Sequence, residues 1–163
     1  MLEIFSFFRV PLQISLASFL SYWVASICPY WLAGEPTQMA ALWAVISSVI
    51  VVQESLSETE EAVTIRFMGS LIGSIMALIF FVLLPIHAVS IACFVFVTAA
   101  FCTIVKFKKH MRLACITFVL LLLIHEISPS QPIWYFALWR LFDSVIGSVV
   151  AFLVVRGFLW CRI

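Results

Sequence analysis

The sequence predicts an all-α integral membrane protein: six transmembrane helices forming two inverted three-helix repeats, with both termini in the cytoplasm. Three observations carry that prediction. The composition is 65% hydrophobic and 10% charged, with a mean hydropathy of +1.22. Lys and Arg fall on one side of the apolar runs, and a nine-residue motif occurs twice.

Soluble domains sit near half apolar and one quarter charged, so this chain is matched to lipid rather than to water. A spanning helix takes about 20 residues, and six of them consume most of the 163 residues. The expectation is one transmembrane module over 1–163 and no soluble domain. A net charge of +1, from 9 basic and 8 acidic residues, provides no field for nucleic acid. The cysteines (Cys28, Cys93, Cys102, Cys115 and Cys161) show no paired or Cys/His spacing. Inside apolar runs a cysteine acts as a small hydrophobe, so neither a metal nor a cofactor is expected.

Apolar runs bounded by Pro, Gly and charge place the helices. The first, 11–28, begins at Pro11 and stops before Pro29. Arg9 ahead of it gives the look of a signal peptide, but Ile27 is too bulky for a cleavage site before Cys28. With five further apolar segments behind, it reads as an uncleaved helix. The second, 38–52, follows Pro36, and the third, 62–84, follows the acidic stretch Glu58, Glu60 and Glu61. That stretch reads as a wetted loop capping the third helix, because acids favour a helix N-terminus. The fourth, 88–105, ends at Lys106; the fifth is 112–124, and the sixth, 134–155, ends at Arg156. The second and fifth are short and must extend through Gln53-Glu54 and His125-Glu126 to cross.

With a cytoplasmic N-terminus, Arg9, Arg66, Lys106, Lys108, Lys109, Arg112, Arg156 and Arg162 gather inside, and Arg140 alone lies outside. Such a bias sets orientation. Trp23, Tyr30, Trp31, Trp134, Tyr135 and Trp139 then anchor the outer interface and Trp160 the inner one.

The duplicated motif runs from Arg66 to Ser74 and from Arg140 to Ser148, with five of nine positions identical and three more exchanging apolar residues. Upstream, Gln53-Glu54 is echoed by His125-Glu126. The repeating unit holds three helices, an odd number, so the second copy (88–156) enters from the side opposite to the first (10–84). Inverted repeats are common in transporters, where the solute path lies between the halves. Helical spacing puts Arg66, Gly69, Ser70, Gly73 and Ser74 on one face, and likewise Arg140, Asp143, Ser144, Gly147 and Ser148. The small residues suit close helix packing.

Charges within a membrane segment are costly and mark ion paths. Arg66 and Arg140 are therefore the candidate anion contacts, since guanidinium binds a carboxylate bidentately. The structural alternative pairs Arg66 with Glu54, and Arg140 with Glu126 or with Asp143 one turn on. Both roles are compatible if a solute or a proton displaces the carboxylate, and His125, an imidazole able to exchange a proton near neutral pH, could assist.

The run from Trp43 to Ser55, followed by Arg66-x-x-Gly69-Ser70-x-x-Gly73, resembles the fusaric acid resistance and aromatic acid exporter family. The likeness covers about residues 10 to 156 and includes the second motif from Arg140 to Gly147. The same module is similar to the membrane half of plant aluminium-activated malate channels. The resemblance implies efflux of small organic carboxylates, aromatic ones included, across the cytoplasmic membrane. Arg66 and Arg140 would attract the anion, with Glu54 and Glu126 as balancing groups. It also implies a homodimer, because longer relatives join two modules. A passive anion channel and an accessory or scaffold subunit are the alternatives. No nucleophile–base, zinc-binding or phosphate-cradling arrangement points to an enzyme.

Overall fold

The computed structural model describes residues 2–33, 38–127 and 131–160, and their side chains at 8–27, 38–127 and 131–160. Cys161 and Arg162, and the side chains of Cys28, Tyr30 and Trp31, lie outside what is described. Within them the chain forms six α-helices and one short 3-10 turn. They are α1 (Leu2–Ala33), α2 (Gln38–Val51), α3 (Leu56–Leu83), α4 (Ala88–Ile104), α5 (Met111–Ile127) and α6 (Ile133–Trp160). The turn, Lys108–His110, precedes α5, and Lys106 beside it adopts φ 64°.

Helix is the one open-chain structure that satisfies its own backbone in lipid, which is why apolar runs of this length fold so. Several boundaries differ from expectation: α1 runs past Pro29 to Ala33, α6 runs past Arg156 to Trp160, and two helices start early. α1 begins at Leu2 and continues through Pro11; in a soluble helix interior Pro costs about 3 kcal/mol, but membrane helices tolerate it. α3 begins at Leu56, so the acidic stretch is its first turns and not a loop. The reason is a Ser-x-x-Glu cap: the Glu58 amide donates to Ser55 Oγ at 3.2 Å, and Thr59 Oγ1 donates to the Ser55 carbonyl at 2.8 Å.

That cap also ends α2 at Val51. The Gln53 amide donates to Thr59 Oγ1 at 3.3 Å, so the chain turns at Gln53-Glu54, and the expected extension of α2 through this pair does not occur. α5 does continue through His125-Glu126, to Ile127. Four segments among the described residues are long and apolar enough to cross a membrane: Phe8–Ile27, Leu56–Leu83, Lys108–Ile127 and Ile133–Trp160. α2 and α4, with 14 and 17 residues, are about 21 and 25 Å long at 1.5 Å per residue, short of the ~30 Å hydrocarbon layer.

The helices form two compact units, Met1–Arg66 with Phe142–Ile163, and Phe67–Leu141; both boundaries fall inside long helices, α3 and α6. In the first unit, one apolar cluster joins Ala17 of α1, Val51 of α2 with Val52 just after it, and Ala151, Val154 and Val155 of α6. A second joins Ala25 of α1 to Ala41 and Ala44 of α2, with Ile146 packed against it. α6 approaches α2 at Gly147, where a Cβ would meet the Ala44 carbonyl oxygen and lie 2.8 Å from Ser47 Cβ.

In the second unit, Phe80 is fully buried and meets Phe94 and Phe118 edge-on at 5.2 and 5.5 Å. Around them pack Met76, Leu121, Leu122, Ile133 and Ala137. α3 approaches α5 at Gly69 and Gly73. A Cβ on Gly73 would sit 2.5 Å from the Ala114 carbonyl oxygen and 2.7 Å from Thr117 Cβ. The two glycines at matching motif positions thus face matching atoms, an alanine carbonyl and the Cβ of a hydroxyl residue three positions later.

Candidate functional site

α2 buries Ala40, Ala41, Ala44, Ser47, Ser48 and Val51, one face at helical spacing. Small side chains there leave room for a large one from elsewhere. Arg66 of α3 fills it, only 1% exposed. Its guanidinium donates from Nε and Nη2 to Ser47 Oγ, at 3.3 and 3.1 Å. The hydroxyl in turn donates to the Trp43 carbonyl at 2.9 Å, so Ser47 is orientated and its lone pairs are turned to the cation. The partner of Arg66 is therefore a hydroxyl, and Glu54 is exposed to solvent without a bond to it. No carboxylate among the described residues neutralises Arg66.

A buried charge is ordinarily paired, and a guanidinium carries five N–H donors. Ser47 takes two of them and brings no negative charge. The remaining donors and the whole positive charge suit an anion, and a planar carboxylate matches the guanidinium fork.

The polar residues on α2 sit at a defined level. On α1, Ser21 falls between Ala17 and Ala25; on α2, Ser47 and Ser48 fall between Ala44 and Val51; on α6, Ser148 falls between Ile146 and Ala151. Each flanking pair has one member in or against each apolar cluster of the first unit. Ser21, Ser47, Ser48, Arg66 and Ser148 are all buried. The unit is thus a polar layer between two apolar ones.

Arg140 and Asp143 are buried on α6, at 3% and 2% exposure, as are Ser144 and Ser148. In the second unit Ser70, Ser74 and Thr117 are buried too. Glu126 is exposed at the end of α5. His125 is half-buried and packs edge-on to Phe81 at 4.7 Å and to Phe136 at 6.3 Å.

The interfacial aromatics are consistent with lipid contact: Trp23, Trp134 and Trp160 are 61%, 55% and 90% exposed, and Tyr135 contacts both Trp134 and Trp139. Cys93, Cys102 and Cys115 are free thiols. Sequence reasoning missed Ser47. Its signal was the helical spacing of Ala40, Ala44, Ser47 and Val51, a small-residue face inside an apolar helix. It also missed that Ala44-x-x-Ser47 recurs as Ala114-x-x-Thr117, each set against its glycine.

The model of a family described as fusaric acid resistance protein-like matches residues 16–154. No curated protein and no solved structure matches the chain.

Proposed function

The chain belongs to the fusaric acid resistance protein-like family, and from that premise we propose that it exports small organic carboxylates, aromatic ones included, across the cytoplasmic membrane. The family and the long apolar helices make it a membrane protein of a transport family. The observation that carries the substrate class is Arg66, a buried cation held by a neutral hydroxyl and by no described carboxylate. A solute carboxylate supplies the missing charge. Arg140 takes the corresponding role in the second copy of the motif. Glu54, Glu126, His125 and Asp143 balance charge or carry protons as the solute moves.

In this reading all six helices cross, α2 and α4 by local thinning of the bilayer. The repeats insert in opposite senses and both termini are cytoplasmic. The equivalent glycine contacts, Gly73 on Ala114 and Thr117 and Gly147 on Ala44 and Ser47, support the relation between the halves. Two copies associate as a homodimer.

The test is flux of radiolabelled benzoate into liposomes reconstituted with purified protein, under an imposed proton gradient. Wild type should accumulate label, and Arg66→Gln and Arg140→Gln should each lower flux more than about tenfold, the cost of losing a charge-assisted contact. Wild-type and variant flux at the level of empty liposomes refutes transport. Unitary currents reversing at the anion's Nernst potential in planar bilayers would instead identify a passive channel.

A further inference from the structure

The buried face of α1 repeats every four residues: Gln13, Ala17, Ser21 and Ala25 are all 0% exposed. Alanine and serine there permit close helix approach; glutamine does not. Gln13 is the one large side chain of the stripe, and neither its Nε2 nor its Oε1 has a hydrogen-bond partner among the described residues. A methionine of the same length would fill the space without leaving buried polar atoms unpaired, which is costly in a helix bundle. One turn earlier on the same face, Arg9 has Nε and Nη2 buried and also without a partner among the described residues. Those two nitrogens form one edge of the guanidinium, the edge that receives both oxygens of a carboxylate.

We infer that Arg9 and Gln13 form a second carboxylate-binding site, on α1, separate from Arg66. Arg9 holds the two carboxylate oxygens through Nε–H and Nη2–H. Gln13 adds an N–H from Nε2, and its Oε1 accepts a hydrogen bond from a donor on the solute or its hydration shell. Val10 and Ile14, which pack against the apolar cluster around Ala17, border the site and suit the hydrocarbon part of an organic acid. Further along the same face, the buried Ser21 Oγ also has no partner among the described residues, at the level of Ser47 and Arg66. α1 therefore sets Arg9, Gln13 and Ser21 in line along one face, from its N-terminal part to the polar layer. This inference rests on the carboxylate-transport reading and assigns it a site of first contact.

The experiment measures benzoate uptake by liposomes of pure phosphatidylcholine, with saturable benzoate binding to the detergent-solubilised protein measured by calorimetry. Gln13→Met and Arg9→Gln should each raise KM about tenfold or more, the loss expected for a hydrogen bond to a charged group, with kcat within about twofold. Gln13→Met should melt no lower than wild type, which separates loss of contact from loss of fold. Unchanged KM in both variants, with wild-type uptake intact, overturns the site and leaves transport standing. If wild type binds benzoate but moves none, the transport reading fails, and the site stands only if Gln13→Met abolishes that binding; neither binding nor uptake overturns both. A KM shift that appears only when anionic lipid is added also overturns it, in favour of a lipid headgroup on Arg9.

Discussion

The tightest helix contact near the site is also the most sharply testable. At Gly147 a Cβ would press on the Ala44 carbonyl oxygen and stand 2.8 Å from Ser47 Cβ, where carbon atoms prefer about 3.5–4.0 Å. In Gly147→Ala the obstacles are a backbone carbonyl and a Cβ, neither able to rotate aside. α2 and α6 must part by about 0.7 Å or more to restore ordinary contact. Overpacking of this kind costs about 1–3 kcal/mol, and the moving helix carries Ser47 away from Arg66, to which it now lies at 3.1 and 3.3 Å. Taking about 2 kcal/mol, unfolding is favoured about 30-fold, since each 1.4 kcal/mol is a factor of ten. In thermal melts of the detergent-solubilised protein, that corresponds to a drop of about 4–8 °C for a chain of this size. Gly157, on the same helix, has nothing within 4 Å of its would-be Cβ. Gly157→Ala should therefore be neutral or stabilising by up to about 1 kcal/mol through backbone entropy. If Gly147→Ala melts within a degree of wild type, or Gly157→Ala falls as far, the close approach of α6 to α2 is wrong.

Two other substitutions probe the same unit. Ser47→Ala removes the acceptor for Arg66 Nε and Nη2 and should cost about 1.5–3 kcal/mol, whereas Ser47→Thr keeps the hydroxyl and should melt near wild type, as Thr117 occupies the matching place against Gly73; equal melting temperatures for the two variants would contradict this. Ser55→Ala removes the cap on the Glu58 amide and should lower stability by about 1 kcal/mol, read as earlier amide exchange in the first turn of α3 with α6 unaffected.

The helices were largely legible because lipid imposes a single rule on them. Apolar length and its polar boundaries place α2 and α4 at the residues where the sequence puts their starts, Gln38 and Ala88. Where the reading slipped, local hydrogen bonding outweighed polarity. Ser55-x-x-Glu58 begins α3 six residues early, and the same turn stops α2 short of Gln53. The motif singles out Arg66 and Arg140, and both are buried. The partner of Arg66 was not legible, because Ser47 lies 19 residues away on another helix. Which side chains meet across helices depends on crossing geometry, and a one-dimensional pattern does not encode it. Gln13 escaped for a related reason: in an apolar helix a lone glutamine is unremarkable until its face proves to be fully buried.

The arrangement around Arg66 is costly as architecture alone. Desolvating a guanidinium is repaid only when geometry and counter-charge are both good, and a glutamate at the Ser47 position would provide that charge permanently. A serine instead fixes the guanidinium without neutralising it. Two apolar clusters, one reaching from Ala17 to Val155 and the other around Ala25, Ala41 and Ala44, bracket this layer on either side. In such surroundings the attraction between Arg66 and an anion is much stronger than in water. A permanently paired arginine would make a rigid staple, whereas one held by a neutral hydroxyl keeps its charge available. Holding Arg66 by a hydroxyl and not by a carboxylate thus leaves its positive charge uncompensated by the side chain that positions it.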